Sequence, residues 1–440
     1  MRCAPRSTLQ AAAFAAAFFV GNGAVRAAPA GDLVLTGANV VDPATRTVAV
    51  RDLFVHDGQL VATRAETHDA RRLDVAGKWI LPGLVDAHTH SEGNANPTWV
   101  PDDDLGPVGT AKAMLMAGVT AFVDLAGSEG KLLPLRDAWR DGPSPGAEML
   151  AAGPAFAKGF KGLQKPGDGM RAIMSPDDAK VQLEQLAVKK PDVIKILQDH
   201  NNGLAMPLDS LAALVTAAKA HGFPIITHIG TWDDARDAML AGVDVITHLN
   251  DDAIVPEDVA RLMADRHVIS MPTLAVQCDM INLQADKTIL EDPLLVAVTS
   301  ASLREAYRAR AKFNPKARSA LVWQKQCFTN DRISMTRLLR AGVTMMAGSD
   351  ASNVGVFQGF SLHRELELLV DAGATPWDAL AAATIVPARL FKRAWGVSPG
   401  DAANLLVLDA SPLAAITNTK RIHAVVFRGR VVDRTALEPR

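Results

Sequence analysis

Between residues 83 and 348, eight short apolar runs alternate with helical stretches, and no other feature of this chain constrains its fold as strongly. The runs are Gly83–His88, Thr120–Leu125, Met149–Gly153, Val193–Leu197, Pro224–His228, Val243–His248, Val268–Thr273 and Val343–Gly348. Helical stretches such as Leu208–His221 and Trp232–Ala241 follow most of them. That rhythm is the signature of βα units and a parallel sheet. Ala-Gly-Val recurs at 117–119, 241–243 and 341–343, where a helix would end at a Gly C-cap and a strand begin at once. Eight units predict an α/β fold of the (β/α)8 TIM-barrel kind, over residues 81–396. Its chemistry would sit at the C-terminal ends of the strands.

The two ends have another texture. Asp32–Leu35, Val48–His56 and Gln59–Ala62 are β-rich, with Asp57-Gly58 as a hairpin turn. Asn404–Leu408 and Ile422–Phe427 repeat the pattern near the C-terminus. Segments 31–80 and 397–440 are expected to form one small β-sandwich domain from both chain ends. More than fifty helical, charged residues separate the seventh run from the helix near Arg332–Arg340. An insertion after a barrel strand projects over the catalytic face, so residues 275–330 read as a lid. Cys278 and Cys327 lie near its ends, as a bridge at its base or as two buried thiols.

Residues 1–30 read as an export signal outside the fold. Arg2 and Arg6 precede an apolar run from Leu9 to Val20, and small residues lead to a cleavage site near Ala27–Ala30. The run is too short to span a bilayer. Removing the segment deletes Arg2, Arg6 and Arg26 and no acid, moving the net charge from -2 to -5. The expected location is secreted or periplasmic, with no membrane span after cleavage. A near-neutral balance, a single Tyr and 5% aromatic residues exclude a nucleic-acid surface. A small-molecule substrate is the expected partner, and a homo-oligomer is compatible with the chain.

His88 and His90 end the first run as His-x-His. Strand residues i and i+2 share a face, so both imidazoles can reach one metal. His228 closes the fifth run, His248 the sixth, and Asp350 follows the eighth. Imidazole and carboxylate on separate strand ends make a nitrogen–oxygen site suited to zinc. Lys195 lies inside the apolar stretch Asp192-Val193-Ile194-Lys195-Ile196-Leu197. Burial lowers a lysine pKa, and a neutral amine can add carbon dioxide to become a carbamate. The bland alternative is a buried lysine paired with Asp350 or Asp199.

The stretch Ile80-Leu81-Pro82-Gly83-Leu84-Val85-Asp86-Ala87-His88-Thr89-His90 resembles the first metal-binding strand of the amidohydrolase superfamily. The resemblance runs from about Asp32 to Val432 and is nearest to prolidase-like and imidazolonepropionase-like members. It implies two divalent ions, with zinc expected. His88, His90 and Asp350 would hold the more buried ion, and His228 and His248 the more exposed one. N6-carboxylated Lys195 and a hydroxide would bridge them. Four positive charges against three negative leave one for an oxyanion on the substrate. Two motifs depart from the common pattern. The sixth-strand motif Ile-Glu-His-Gly is here Ile246-Thr247-His248-Leu249, and the loop 153–161 carries no His.

The implied reaction is hydrolysis of an amide C–N bond in a peptide-like, N-acyl amino acid or cyclic amide substrate. A metal-bridging hydroxide would attack, and Asp350 would carry the proton to the leaving amine. Lactone or carbamate hydrolysis is an alternative. A deaminase is another, although such members carry a Glu three residues after the fifth-strand His, where Thr231 stands here. A non-catalytic binding protein is the remote alternative, since the chain keeps all six metal-ligand positions. Lys158, Lys161, His200, Tyr307 and Asn353 are the candidate substrate contacts; surface lysines are commonly only solvated.

Overall fold

The computed structural model describes residues 31–439 except 68, 93–104, 160–168, 251–252, 286 and 310–315. The expected export signal and Lys161 therefore lie outside the described residues.

The centre is a mixed α/β fold with parallel sheets. Leu84–Thr89, Val119–Asp124 and Glu148–Ala151 form a three-stranded parallel sheet. A second parallel sheet has the order Met170–Ile173, Ala155–Lys158, Ile194–Gln198, Ile225–Ile229, Val245–Thr247 and Ile269–Met271. These strands are almost continuously apolar because both of their faces are covered. One face packs on helices such as Leu208–Ala220 and Trp232–Ala241. On the other, Val85, Ala121, Val193, Ile226, Val245 and Met346 join one buried cluster fed by both sheets.

Seven of the eight expected runs carry strands. The third breaks after Ala151 and resumes at Ala155, because Gly153 takes a left-handed φ of 71° and Pro154 has no N–H to donate. Val343–Gly348 forms no continuous strand. It contributes the isolated bridge Ser270–Met345, and its continuation makes a second, Thr89–Ala351. Ser270 N donates to Thr344 O at 3.0 Å and Ala87 N to Ala347 O at 3.1 Å, so the segment still lies between the two sheets. The ladder is cut short where Asp350 turns to a left-handed φ of 58°. At the three Ala-Gly-Val sites the glycines are left-handed as expected, with φ of 76°, 98° and 83° at Gly118, Gly242 and Gly342, but a strand begins at once only at Val119.

Both chain ends do build one β unit, but their eight strands share a single hydrogen-bonded sheet instead of two stacked ones. Leu33–Asp42 is its hub, paired with Thr47–His56, Arg71–Asp74 and Trp79–Pro82. Leu405–Leu408 pairs with Trp79–Pro82 and carries Ile422–Phe427 at its other side. The sheet curls: Leu60 N donates to Asp401 O and Gly400 N to Leu60 O, each at 2.8 Å, which brings Gln59–Val61 back to the C-terminal segment. The curl encloses Leu35, Val40, Leu53, Val55, Ile80 and Val407.

The insertion after Ile269–Met271 is helical: Leu274–Ala285, Pro293–Val298, Ala301–Ala309 and Lys316–Arg340. The last helix starts well before the expected Arg332. Cys278 and Cys327 are both buried thiols, so no bridge staples the base of the insertion. Among the described residues no helix is long and apolar enough to cross a membrane.

Candidate metal centre

The fold gathers the six singled-out side chains at one end of the parallel strands. The register of the first strand shifts between Asp86 and Thr89, so alternation there is not strictly two-residue. His88 and His90 nevertheless meet edge to face, with ring centroids 5.3 Å apart. The His248 ring lies 5.1 Å from that of His88 and 4.6 Å from that of His228. Lys195 begins deeper, in the second residue of its strand, and its long stem reaches up until Nζ is 3.4 Å from His88 Nε2. Asp350 Oδ1 lies 3.4 Å from His88 Nε2 and 3.1 Å from His90 Nε2. One ligand atom each from His88, His248 and Asp350 falls within 4.8 Å of the other two. This compact triad crosses the two half-sites that the resemblance implied.

The electrostatics suit a cation. Burial holds the His88 and His248 rings well below their ordinary pKa, which keeps them neutral with a free lone pair. Burial pushes the Lys195 ammonium down to about 7, against the opposing pull of Asp350. Burial pushes the Asp350 carboxyl up, but the facing His88 ring and its neighbours outweigh it and hold the group below the usual carboxylate range. Asp350 Oδ1 is buried, and the ring nitrogens of His90 and His88 beside it make no well-aligned hydrogen bond to it. A buried carboxylate oxygen with no donor is costly unless a cation satisfies it. Neutral imidazoles around such an oxygen fit a divalent metal ion.

Other residues hold this set in place. His88 Nδ1 pairs with Thr247 Oγ1 at 2.9 Å and His248 Nδ1 with Thr273 Oγ1 at 2.7 Å, so both rings turn Nε2 toward the cluster. Asp86 is fully buried and accepts from Ser349 N at 2.9 Å, Ser349 Oγ at 2.6 Å and His88 N at 3.3 Å. It locks the first strand to the segment bearing Asp350. Asp124 does the same for the chain after His90, accepting from Ser91 N at 2.7 Å and Ser91 Oγ at 2.6 Å. Asp199 takes His228 Nε2 at 3.2 Å. Sequence reading missed Asp86, Asp124, Thr247 and Thr273 as contributors. Their signal was position alone: each lies within or next to the end of a strand that carries a candidate ligand or adjoins one that does.

Gly348 is forced by the same crowding. A Cβ there would lie 2.7 Å from His88 Cβ and 2.8 Å from Met271 Sδ. Gly348→Ala is expected to cost about 1–3 kcal/mol, as overpacked cores do. Denaturant unfolding of the metal-free protein would read it as a lower midpoint.

The described candidate substrate contacts differ in exposure and in partners. Lys158 is exposed at the end of its strand, and its N–H donates to Leu204 O at 2.9 Å. His200 is exposed, with Nδ1 bonded to the buried Asp234. Asn353 Nδ2 donates to Asp350 O at 2.9 Å. Tyr307 is buried. Its hydroxyl accepts from Gly355 N at 2.8 Å, and its ring meets Phe357 edge to face at 5.5 Å.

A parallel α/β scaffold with neutral imidazoles, a lysine and an unsatisfied carboxylate at its strand ends defines a candidate metalloenzyme. Residues 79–432 match the Amidohydrolase family, and the chain belongs to it. A dihydroorotase from Anaeromyxobacter dehalogenans is 25% identical over 408 residues, 86% of this chain and 88% of the relative. An adenine deaminase from Deinococcus deserti is 35% identical over 97 residues, 21% of this chain and only 16% of the deaminase. The crystal structure of a putative prolidase from Bifidobacterium longum superposes with a TM-score of 0.69 at 23% identity, covering 93% of this chain and 98% of that one.

Proposed function

We propose that this chain is a metal-dependent hydrolase that cleaves an amide C–N bond in a small molecule. The two parallel sheets are arcs of one (β/α)8 barrel over residues 81–396. The bonds from Ser270 to Thr344 and from Ala87 to Ala347 on either side of the eighth segment support closure. Segments 31–80 and 397–440 form the accompanying β domain. The insertion 275–330 covers the mouth, and the bond between Gly355 and Tyr307 ties it to the loop after Asp350. Residues 1–30 export the protein to the periplasm or medium.

One observation carries the catalytic reading. A lysine amine, buried and pushed down to about 7, stands 3.4 Å from the ring of His88 beside Asp350. An amine largely neutral at physiological pH adds carbon dioxide, loses one proton and becomes a carbamate anion. Lys195 in that form adds a second carboxylate to Asp350, which four imidazoles and two divalent ions, zinc by ligand type, would match. His88, His90 and Asp350 would hold one ion and His228 and His248 the other, with carboxylated Lys195 as a shared anionic ligand. Bound metal supplies an acidified water and a Lewis acid for the scissile carbonyl.

The chain's own groups do the rest. Asp350 is held ionised, so its carboxylate accepts the proton of the attacking water and returns it to the leaving amine. His88 and His248 stay neutral and keep their orientation through Thr247 and Thr273. Lys158 and His200 on the rim favour substrates with a carboxylate, such as dipeptides and N-acyl amino acids. A deaminase reading is disfavoured because Thr231, three residues after His228, is spent capping the helix Trp232–Ala241.

Elemental analysis of purified protein should find two divalent ions per chain. Chelation should abolish turnover, and zinc should restore it, across a panel of dipeptides, N-acyl amino acids, cyclic amides and lactones. Full turnover after both ions are stripped would overturn the proposal.

A further inference from the structure

We propose that Asp199 is a positioning residue that decides which ring nitrogen His228 presents to the metal centre. The inference rests on the two-ion reading above, and it makes one ion position differ from the other.

The three best-anchored histidines of the cluster are not held alike. His88 and His248 are each gripped at Nδ1 by a threonine hydroxyl, which leaves Nε2 for the centre. His228 is gripped at the opposite nitrogen: Nε2 lies 3.2 Å from Asp199 Oδ2, which leaves Nδ1. The partner differs in kind as well. A hydroxyl can donate or accept, so Thr247 and Thr273 leave the tautomer of their rings open. An ionised carboxylate only accepts, so Asp199 requires a proton on Nε2, and in the neutral ring the lone pair then falls on Nδ1. His228 is thus prepared as an Nδ1 ligand before any ion arrives. The anionic partner also makes the ring a stronger donor.

The surroundings are built to hold that carboxylate. Asp199 is only 2% exposed. Asn202 Nδ2 donates to Oδ2 at 2.6 Å and Asn202 N to Oδ1 at 3.0 Å. Gly230 makes room, since a Cβ there would lie 2.0 Å from Asp199 Oδ1. A second carboxylate–imidazole pair runs the opposite way beside the first: His200 Nδ1 meets Asp234. Asp234 in turn accepts from Thr231 N at 2.8 Å and Thr231 Oγ1 at 2.9 Å, and Asn201 Nδ2 donates to Gly230 O at 2.8 Å. The turn after the strand Ile194–Gln198 is therefore clasped to the turn after Ile225–Ile229 at several points. That clasp holds the two turns together, and the two Asn202 bonds hold the Asp199 carboxylate facing His228.

The test is made on the full protein in two states. In metal-free, ¹⁵N-histidine-labelled protein, the His228 signals are assigned by their loss in His228→Gln. The wild type should show the Nε2-protonated tautomer. Asp199→Ala should lose that fixed tautomer, and Asp199→Asn, which keeps an acceptor oxygen, should retain part of it. In chelator-competition titrations, Asp199→Ala should weaken one of two zinc-binding constants by about 10–100-fold, as loss of a ligand's orienting partner does. The other constant should hold. Should Asp199→Ala fail to fold, the wild-type and Asp199→Asn spectra still decide. An Nδ1-protonated His228 in the wild type, or equal weakening of both ions in Asp199→Asn, would overturn the proposal. A wild type that binds a single ion would instead overturn the two-ion reading, and the tautomer would still judge Asp199.

Discussion

Lys195→Ala is expected to lower turnover by at least about 1000-fold, some 4 kcal/mol of transition-state stabilisation. The variant should regain part of it in acetate or formate. The alanine leaves a buried space beside His88 and Asp350, and a small carboxylate placed there restores the anion that a carbamate would have supplied. Lys195→Arg separates this role from simple bulk and charge. A guanidinium keeps its proton at any working pH and cannot take up carbon dioxide. It fills the space, so added carboxylate should do nothing for it. Activity in Lys195→Arg equal to the wild type would exclude the carbamate. The pH dependence has a definite sign. With the amine pushed down to about 7 by burial, the neutral fraction grows from roughly a tenth at pH 6 to roughly nine-tenths at pH 8. At fixed dissolved carbon dioxide, metal reconstitution should therefore speed up across that interval and level off above it. The metal-free protein should also gain stability as pH rises from about 7 toward the ordinary lysine value of 10.5, because the unfolded lysine binds a proton there that the folded one does not.

The candidate ligands could be picked out in the sequence because all but Lys195 sit at or just beyond the end of an apolar run. His88, His228 and His248 each close a β-branched apolar run, and Lys195 interrupts one. Period and polarity marked the positions, and the family resemblance implied their roles. What held those ligands was not legible. Asp86 looks like a lone acid inside an apolar run, yet it is the buried tie between the first strand and Ser349. Thr247 and Thr273 read as ordinary β-formers, although their hydroxyls set the direction of two imidazoles. Such partners are far away in the chain (Thr247 lies 159 residues from His88), and no local pattern encodes the pair.

The strand ends show the same divide. The extended runs before His248 and Asp350 could be read from composition. Left-handed backbone at His248, Thr273 and Asp350, with φ of 70°, 52° and 58°, could not. Non-glycine residues enter that region at a cost, and such outliers cluster where a side chain must be aimed. The eighth run makes one isolated bridge at Met345, and a second follows at Ala351, just past the left-handed Asp350. The β unit matches its expected sandwich only in part, for a different reason. Strand content is local, but whether eight strands stack or curl is decided by pairings between residues as distant as Leu60 and Asp401.

Asp350→Asn should separate binding from proton transfer at the centre. Asparagine matches aspartate in shape and tolerates the left-handed backbone that position 350 requires, so the fold should survive. What changes is the charge and the ability to accept a proton. Turnover per bound ion should fall by about 100- to 10,000-fold, the usual span for removing a general acid–base group. Metal content, measured in the same samples, should fall far less if saturating zinc is supplied. The stability profile gives an independent check. In the metal-free protein the folded pKa of Asp350 lies below the ordinary 3.8, because the facing imidazoles, including His90 with its raised pKa, outweigh burial. Its contribution to stability is therefore fully present above about 3.8 and is lost only as pH falls below that value toward the folded pKa. Unfolding midpoints of wild type and Asp350→Asn should converge in strong acid and differ most near neutrality. If Asp350→Asn turned over at the wild-type rate with both ions bound, the proton would have to travel by another group. His200, exposed on the rim and backed by the buried Asp234, would be the next candidate.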